Sequence, residues 1–321
     1  MKNHILYYSV GALLYCPANK TNIAKSIMEE KFGTKFSLAL CLEDTINDQF
    51  VEEAEAILIH SLEEIYRAHQ AHPFFLPKIF IRVRNAGQMA RLVGALGDSL
   101  QILTGFILPK FCPENAKAYV EAAICANESA SNPLYIMPIY ESAAIVNLQD
   151  RAGILYELKN TLSPIQSLVL NIRVGGNDLC NLFGFRRHSD ESIHRIGPVA
   201  NIFSDIITVY GMDYVVSGPV WEYYSGAGWQ EGLCRELADD RLCGFIGKTV
   251  IHPNQIPVVN EAYKVTQADL QDARQILGWD QSSNSYVSGN QSKERMNEYK
   301  THSNWARQTL LLAEAFGIKE G

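Results

Sequence analysis

The sequence predicts a (β/α)8 barrel, in which eight parallel strands are surrounded by helices, and two observations lead to it. Eight short apolar runs recur along the chain, at 12–16, 37–42, 78–83, 104–109, 134–139, 168–174, 213–218 and 248–253. Between them lie longer stretches with apolar residues three and four positions apart. Apolar strands alternating with amphipathic helices indicate a parallel sheet covered by helices, and eight such units in about 250 residues match a closed barrel.

The helices are predicted from the stretches at 22–32, 51–69, 114–129 and 192–211, which carry the helical spacing of apolar residues. A doubly wound open sheet is the alternative architecture. That fold carries a glycine-rich phosphate loop after its first strand, but here the letters CPANK follow instead. The sequence therefore favours the barrel.

The chain is predicted to divide into a catalytic barrel at 1–280 and a tail at 281–321. Residues 282–292 are polar and typical of a loop or hinge, and residues 296–317 resume a helical pattern with one apolar face. This last helix is expected either to pack on its own barrel or to reach a neighbouring subunit.

Composition describes a soluble enzyme of the cytoplasm. The 321 residues are 47% hydrophobic and 20% charged, with a net charge of −7 and no basic cluster, so nucleic acid is not an expected partner. Seven cysteines without CxxC spacing indicate reduced, buried thiols. The apolar run before Cys16 resembles a signal peptide, but the bulky Tyr15 precedes that cysteine where cleavage needs a small residue. No segment has the length of a membrane helix.

Two carboxylates, Glu141 and Asp178, follow the fifth and sixth apolar runs directly. The carboxyl ends of barrel strands meet at one rim, so these side chains are expected near each other. Mg²⁺ takes oxygen ligands and keeps several waters, and two carboxylates with a chelating substrate complete its shell. Considered alone, Glu141 is typical of a surface acid at a strand end, and Asp178 is typical of a turn or helix-cap residue.

Other polar residues also follow strand ends, and their number indicates a site. They are Asn19, Lys20, Glu43, Asp44, Arg82, Arg84, Asn85, Lys110, Asn177, Ser217, Glu222, His252 and Asn254. A purely structural alternative pairs some of them in salt bridges between neighbouring strands, and Glu43 with Arg82 is the clearest candidate. Charged groups buried in a barrel mouth are costly unless they are paired or bound to metal.

The chain resembles the citrate lyase beta-subunit family, which is related to malyl-CoA lyases and class II 2-keto-acid aldolases. The resemblance runs in order over 11–265, through ALLYCPANKTNIAKSI, LALCLEDTI, IFIRVRN, GFILPK, GGNDL and GFIGKTVIHPNQIPVVNEAY. The ending NEYKTHSNWARQTLLLAEAFG is similar to a stand-alone branch of carbon–carbon bond lyases of the barrel fold, met in bacterial stress-response and tellurite-resistance gene neighbourhoods.

The resemblance implies that Glu141 and Asp178 bind Mg²⁺ and that Arg82 grips a keto-acid carboxylate or polarises its oxygen. Glu43 and Asp44 are then expected beside the metal-bound waters, with Glu43 the better proton relay. Asn177 and Lys110 are expected to bind substrate. Lys248 and His252 are expected to brace the last strand rather than to orient ligand.

The chain also departs from the family pattern. Ser217 stands where relatives carry an acid, and Glu222 in the next loop is the candidate to compensate. Val10 and Gly11 stand where acyl-CoA-using relatives carry an RS-like pair. A CoA thioester is therefore a less favoured substrate than a free hydroxy- or keto-acid.

The sequence thus predicts a Mg²⁺-dependent carbon–carbon bond lyase or aldolase that acts on a small carboxylated acid, or its acyl thioester, through a metal-stabilised enolate. A homo-oligomer is expected, a trimer or hexamer among the options, with neither nucleic acid nor membrane as partner. Two alternatives stay open. One is a metal-binding barrel that serves as a scaffold in a biosynthetic assembly, and the other is an acyl-thioester hydrolase at the same site.

Overall fold

A computed structural model describes residues 4–320 and confirms the barrel. Its eight barrel strands are β1 (Ala12–Pro17), β2 (Ser37–Cys41), β3 (Lys78–Arg82), β4 (Leu103–Leu108), β5 (Tyr135–Tyr140), β6 (Ile172–Val174), β7 (Val216–Ser217) and β8 (Lys248–Val250). They lie in the order β7-β6-β5-β4-β3-β2-β1-β8, and each hydrogen-bonded pair is parallel. A parallel bridge between Gly218 and Lys248 brings the two ends of the sheet together.

Helices follow the strands and cover the outside of the sheet. They are α1 (Ile23–Met28), α2 (Val51–Ala71), α3 (Ala86–Ala95), α4 (Pro113–Ser129), α5 (Leu148–Leu162), α6 (Gly176–Phe183), α7 (Gly197–Tyr210), α8 (Trp229–Cys243), α9 (Gln255–Tyr263), α10 (Gln267–Leu277) and α11 (Tyr299–Phe316). Within 4–320, no helix is both long and apolar enough to cross a membrane.

Two predicted strands are much shorter than their apolar runs. The run at 168–174 yields only β6, because a 3₁₀ turn, Ser163–Leu168, extends into it and the backbone N–H of Val169 donates to the Gln166 carbonyl. The run at 213–218 yields only β7, because the backbone N–H of Tyr214 still donates to Tyr210 at the end of α7. Backbone hydrogen bonds of a local turn therefore occupy the first residues of both runs.

The predicted helix at 192–211 is divided in two. A 3₁₀ turn, Ile193–Arg195, precedes α7, and Pro198 lies in the first turn of α7, where its missing N–H costs nothing. A helix continuous through that proline would lose a hydrogen bond and meet its ring.

The barrel interior has an apolar layer below a polar one. The apolar layer contains Val10, Leu13, Ala39, Phe80, Ile107, Met137, Ile139 and Leu170. A second, larger cluster lies between the strands and the surrounding helices. The polar side chains Arg82, Glu141 and Arg173 lie above the interior layer, towards the carboxyl ends of the strands.

The tail packs on its own chain. Ala306 of α11 is buried against Ala273 and Ile276 of α10, and the ring of Phe316 lies 5.2 Å from that of Tyr263. The predicted loop at 282–292 contains β9 (Val287–Gly289), which pairs antiparallel with β10 (Met296–Glu298). The hairpin differs from the prediction because the polar run has no apolar alternation to signal a strand. The domain boundary after 280 and contact with a second subunit stay predictions.

Candidate active site

A cavity of about 310 Å³ opens at the carboxyl ends of the barrel strands. Its lining includes Tyr15, Asp44, Arg82, Glu141, Arg173, Asn177, Asp178 and Thr249. These residues come from widely separated parts of the chain, which the parallel barrel brings to one rim. Five of the polar residues that the sequence assigned to the rim therefore line this cavity: Asp44, Arg82, Glu141, Asn177 and Asp178.

Arg82, the last residue of β3, lies at the centre of a carboxylate cluster. Its Nη2 atom is 2.6 Å from Glu43 Oε2, 3.1 Å from Glu141 Oε1 and 3.2 Å from Asp44 Oδ2. Arg82 is buried, and the opposing charges of the carboxylates raise the pKa of its guanidinium although burial acts to lower it. The salt bridge between Glu43 and Arg82 that the structural alternative proposed is present.

Lys110, just beyond β4, holds the acidic pair from the other side. Its Nζ lies 2.6 Å from Glu43 Oε1 and 2.9 Å from Asp44 Oδ1, and its backbone N–H donates to Glu141 Oε1 at 3.1 Å. These contacts accompany a φ of +47°, a left-handed conformation that costs of order 1 kcal/mol for a residue with a side chain. The Lys110 ammonium thus contacts Glu43 and Asp44, and its backbone N–H contacts Glu141.

Glu141 uses only one of its two carboxylate oxygens within the protein. Oε1 accepts from Arg82 and Lys110, and no hydrogen bond from anywhere in 4–320 reaches Oε2. Burial raises the pKa of Glu141 to about 8, with Arg82 opposing the shift and the Asp178 charge adding to it. Oε2 is therefore a free oxygen on an almost fully buried carboxylate.

Asp178 lies in the first turn of α6 and is half-buried at the cavity wall. Its carboxylate has neither a hydrogen bond nor an ion pair with any residue that the structure describes. Gly176, the first residue of α6, packs closely against the 3₁₀ turn that precedes α7, since a Cβ at this position would lie 2.6 Å from Ile193 Cδ1. Asp178 and Glu141 thus offer unpaired oxygens to the same cavity.

Glu43 and Asp44 form an acidic pair with opposite shifts in their pKa values. Burial raises the pKa of Glu43, although Arg82 opposes it. Burial also acts to raise the pKa of Asp44, but hydrogen bonds with Glu43 and Lys110 outweigh it and lower that pKa. Glu43 is therefore the member of the pair that holds a proton more readily.

The structure places Glu222 in a different cavity. That cavity, of about 340 Å³, is lined by Cys180, Phe185, Arg187 and Glu222, and it shares Asn177 with the first one. The Glu222 carboxylate lies 3.6 Å from the guanidinium of Arg186. Asn177 is exposed between the two spaces.

Ser217, Lys248 and His252 have structural contacts away from the main cavity. Ser217 is fully buried, and its hydroxyl donates to the Ile246 carbonyl at 2.8 Å. Lys248 is buried 2.9 Å from Glu236 and 2.7 Å from Asp240, as expected for a brace of the last strand. The His252 ring stacks on Tyr224, outside the main cavity, with centroids 4.7 Å apart.

Three polar residues of the cavity wall were missed from the sequence: Tyr15, Arg173 and Thr249. Each lies within an apolar run and not after it, so a search of strand ends passes over them. The signal was the alternation in NIRV, where Asn171 and Arg173 interrupt a run with polar side chains two positions apart. Residues two apart on a strand face the same side, which here is the barrel interior.

No group of three or more His, Cys, Asp or Glu suited to hold a metal occurs among residues 4–320. A site built from Glu141 and Asp178 alone leaves the other positions of an octahedral shell to water and substrate, as is usual for Mg²⁺. The free oxygens of both carboxylates fit that arrangement.

Comparison with known proteins gives a family match over almost the whole chain. The model of the C–C bond lyases of the TIM-barrel fold matches residues 4–318. Citrate lyase subunit beta of Haemophilus influenzae is 37% identical over 54 residues, which are 17% of this chain and 19% of that protein. Mitochondrial citramalyl-CoA lyase of Mus musculus is 42% identical over 48 residues, 15% of this chain and 14% of that protein. The matched segments thus span less than a fifth of either curated relative.

Solved structures share the fold at low sequence identity. The CitE protein of Mycobacterium tuberculosis, in complex with magnesium, acetoacetate and coenzyme A, has a TM-score of 0.63 and 21% identity, covering 96% of this chain and 99% of that one. RipC from Yersinia pestis has a TM-score of 0.56 and 16% identity, covering 82% and 99%. The citrate lyase beta subunit of M. tuberculosis with oxaloacetate and magnesium has a TM-score of 0.54 and 21% identity, covering 81% and 99%.

Proposed function

Since the chain belongs to the carbon–carbon bond lyases of the TIM-barrel fold, we propose that it is a Mg²⁺-dependent lyase of small carboxylated hydroxy- or keto-acids. The observation that carries the proposal is the pair of unpaired carboxylates, Glu141 and Asp178, in one cavity with the Arg82 guanidinium. Structural neighbours in complex with magnesium and with acetoacetate or oxaloacetate support it.

Glu141 Oε2 and the Asp178 carboxylate are the protein ligands of the proposed cation. A bound Mg²⁺ would supply a positive charge that polarises a carbonyl oxygen and favours charge development there. The second oxygen of Glu141 stays with Arg82 and the Lys110 backbone, which fixes the orientation of the ligating carboxylate.

Arg82 would stabilise negative charge that develops on the substrate oxygen. Cleaving or forming a carbon–carbon bond next to a carbonyl passes through an enolate, and a fixed guanidinium in a water-poor cavity lowers that barrier. All three ion pairs of Arg82 use Nη2. Its Nη1 is not part of those pairs and is the donor that we assign to the substrate.

Glu43 would carry the proton that such a reaction exchanges. Its raised pKa brings it closer to neutrality, where a general acid or base works best. Lys110 and Arg82 hold its two oxygens, so its position is fixed. Because Glu43 can serve, the loss of an acid at Ser217 does not by itself imply a scaffold protein.

A free acid fits the described cavity better than a CoA ester does. A volume of about 310 Å³ is at the small end of the range for ligand pockets. A coenzyme would have to extend outside this volume, although the CitE complex with coenzyme A keeps thioesters among the substrates to be tested.

The test is a turnover screen with a metal control. The protein would be incubated with hydroxy-acids, keto-acids and their CoA esters, with Mg²⁺ or with EDTA, and the products identified by mass spectrometry. We expect carbon–carbon cleavage or condensation only with Mg²⁺. Thioester hydrolysis without a carbon–carbon product would favour the hydrolase, and the absence of any product with every substrate would favour the scaffold.

A further inference from the structure

Arg173 is a buried arginine without a carboxylate partner. It lies on β6, is 1% exposed, and lines the candidate active-site cavity. Its Nη2 donates to Thr249 Oγ1 at 2.7 Å, and its guanidinium lies beside the Tyr15 hydroxyl in the same cavity wall. Neither Nη1 nor the buried Tyr15 hydroxyl has a well-aligned hydrogen bond to any other group that the structure describes.

Every other buried arginine that the structure describes has an acidic partner. Arg82 contacts three carboxylates, Arg151 lies 2.9 Å from Asp205, and Arg187 lies 3.2 Å from Glu236. A buried guanidinium without a carboxylate partner is costly, because hydrogen bonds to neutral groups such as Thr249 do not supply the opposite charge. Burial accordingly lowers the pKa of Arg173 below its ordinary value. A buried guanidinium in a cavity wall, without a carboxylate partner, is a candidate anion-binding group.

We propose that Arg173, assisted by Thr249 and Tyr15, binds a second carboxylate of the substrate and selects dicarboxylic acids over monocarboxylic ones. This inference rests on the function proposed above, in which Glu141 and Asp178 hold the cation that binds the other end of the substrate. Arg173 is then a specificity residue. Its guanidinium and the Thr249 hydroxyl donate to the distal carboxylate, and neither takes part in the bond change.

The cavity therefore carries two arginines with different partners. Arg82 already pairs with three protein carboxylates, whereas Arg173 pairs with none, so an incoming carboxylate at Arg173 displaces no existing ion pair. Hydrogen bonds between a guanidinium and a carboxylate are charge-assisted and strong, and a buried one is little screened. A monocarboxylic acid would leave Arg173 without a carboxylate partner and would not gain these charge-assisted hydrogen bonds.

The experiment compares L-malate with lactate, two hydroxy-acids that differ in the second carboxylate. Calorimetry with saturating Mg²⁺ should show wild type binding malate roughly 10-fold to 100-fold more tightly than lactate. In Arg173→Met the two acids should bind within about threefold of each other, with lactate affinity as in wild type. Arg173→Lys should fall between them, since lysine lacks the planar fork.

A stability readout separates a ligand anchor from a structural brace. Arg173→Met removes an unpaired buried charge and keeps most of the volume, so its Tm should rise above that of wild type. The matched control is Arg151→Met, which removes a buried arginine that is paired with Asp205. It should lower the Tm and leave the preference for malate unchanged.

The outcomes distinguish this inference from the proposed function. If neither acid binds wild type with Mg²⁺ present, the proposed function itself is wrong. If both acids bind but Arg173→Met keeps the preference for malate, Arg173 is not the carboxylate site. Unfolding or a lower Tm of Arg173→Met would also overturn the inference, because it would show that the arginine is a brace of the barrel.

Discussion

Gly175 packs directly on the carboxylate of Glu141. A Cβ at position 175 would lie 2.0 Å from Glu141 Oε2 and 2.4 Å from its Cβ, closer than atoms can approach. Oε2 is the oxygen that we assign to the cation. Because glycine has no Cβ, the Glu141 carboxylate has the space to keep this orientation. The geometry of the proposed metal site thus depends on the absence of a side chain at position 175, between β6 and α6.

Gly175→Ala should therefore weaken Mg²⁺ binding, although it replaces neither of the two proposed ligands. The methyl group must displace the Glu141 side chain or the strand end, and we expect a loss of affinity of at least about tenfold, as for other changes beside a metal ligand. The control is Gly153→Ala within α5, where nothing lies within 4 Å of the added Cβ. That variant should bind Mg²⁺ like wild type and be equally or more stable. Equal Mg²⁺ affinity in the two variants would contradict the coupling.

Arg82→Lys should bind pyruvate with Mg²⁺ at least about tenfold more weakly than wild type, because an ammonium cannot serve the carboxylates and the substrate together. The measurement is calorimetry at saturating Mg²⁺. Arg91→Lys is the control, since Arg91 forms an exposed pair with Glu55 on the outer surface. An affinity in Arg82→Lys equal to that of the control would mean that Arg82 only braces the carboxylate cluster.

Glu43→Gln should lose turnover by about 10²-fold to 10⁴-fold, the usual contribution of a general acid or base, while Mg²⁺ affinity stays close to that of wild type. Glu222→Gln is the matched comparison, because Glu222 lies in the neighbouring cavity. We expect Glu222→Gln to keep most of the turnover measured with whichever substrate the screen identifies. The reverse order of the two effects would assign the proton transfer to Glu222.

Asp240 should make stability depend on pH in the acid range. Burial acts to raise its pKa, but the Lys248 ammonium and the hydrogen bond from His194 hold it below its ordinary value of 3.8. The folded state therefore binds the proton less tightly than the unfolded state, so this contribution is present above about pH 4 and is lost as the pH falls further.

Asp240→Asn should lower the free energy of unfolding at pH 7 by about 3–5 kcal/mol, because it leaves Lys248 with one buried partner instead of two. Urea unfolding from pH 7 to pH 3 tests this. The difference between wild type and variant should shrink towards pH 3. A difference that stays constant over the range would contradict the assignment of the lowered pKa to Asp240.

The sequence predicted the barrel and several residues of the cavity wall because both depend on local patterns. Apolar runs mark parallel strands wherever they lie, and the residue after a run, such as Glu141, falls at the rim by topology alone. The predicted lengths of β6 and β7 were wrong because backbone turn hydrogen bonds, from Val169 and Tyr214, occupy the first residues of each apolar run. The hydrophobicity of a run does not show where its strand pairing begins.

The polar interior of the barrel was harder to predict. In the sequence, Arg173 is one residue of an apolar run, like its neighbours. The closed sheet is needed to show that its side chain reaches the cavity. The positions of Glu222 and Ser217 likewise depend on how the chain leaves β7. Ser217 points into the packed interior, so an aspartate there would be a buried charge and should destabilise the fold, not restore a catalytic acid.

The most direct test of the account is calorimetric titration of the metal-free protein with Mg²⁺. Wild type and the control Glu128→Gln, a substitution on the exposed face of α4, should show one site per chain. Glu141→Gln and Asp178→Asn should each weaken that binding at least about tenfold, because each removes one of only two protein ligands. Unchanged binding in both of these variants would contradict the assignment of the metal site, and with it the proposed lyase chemistry.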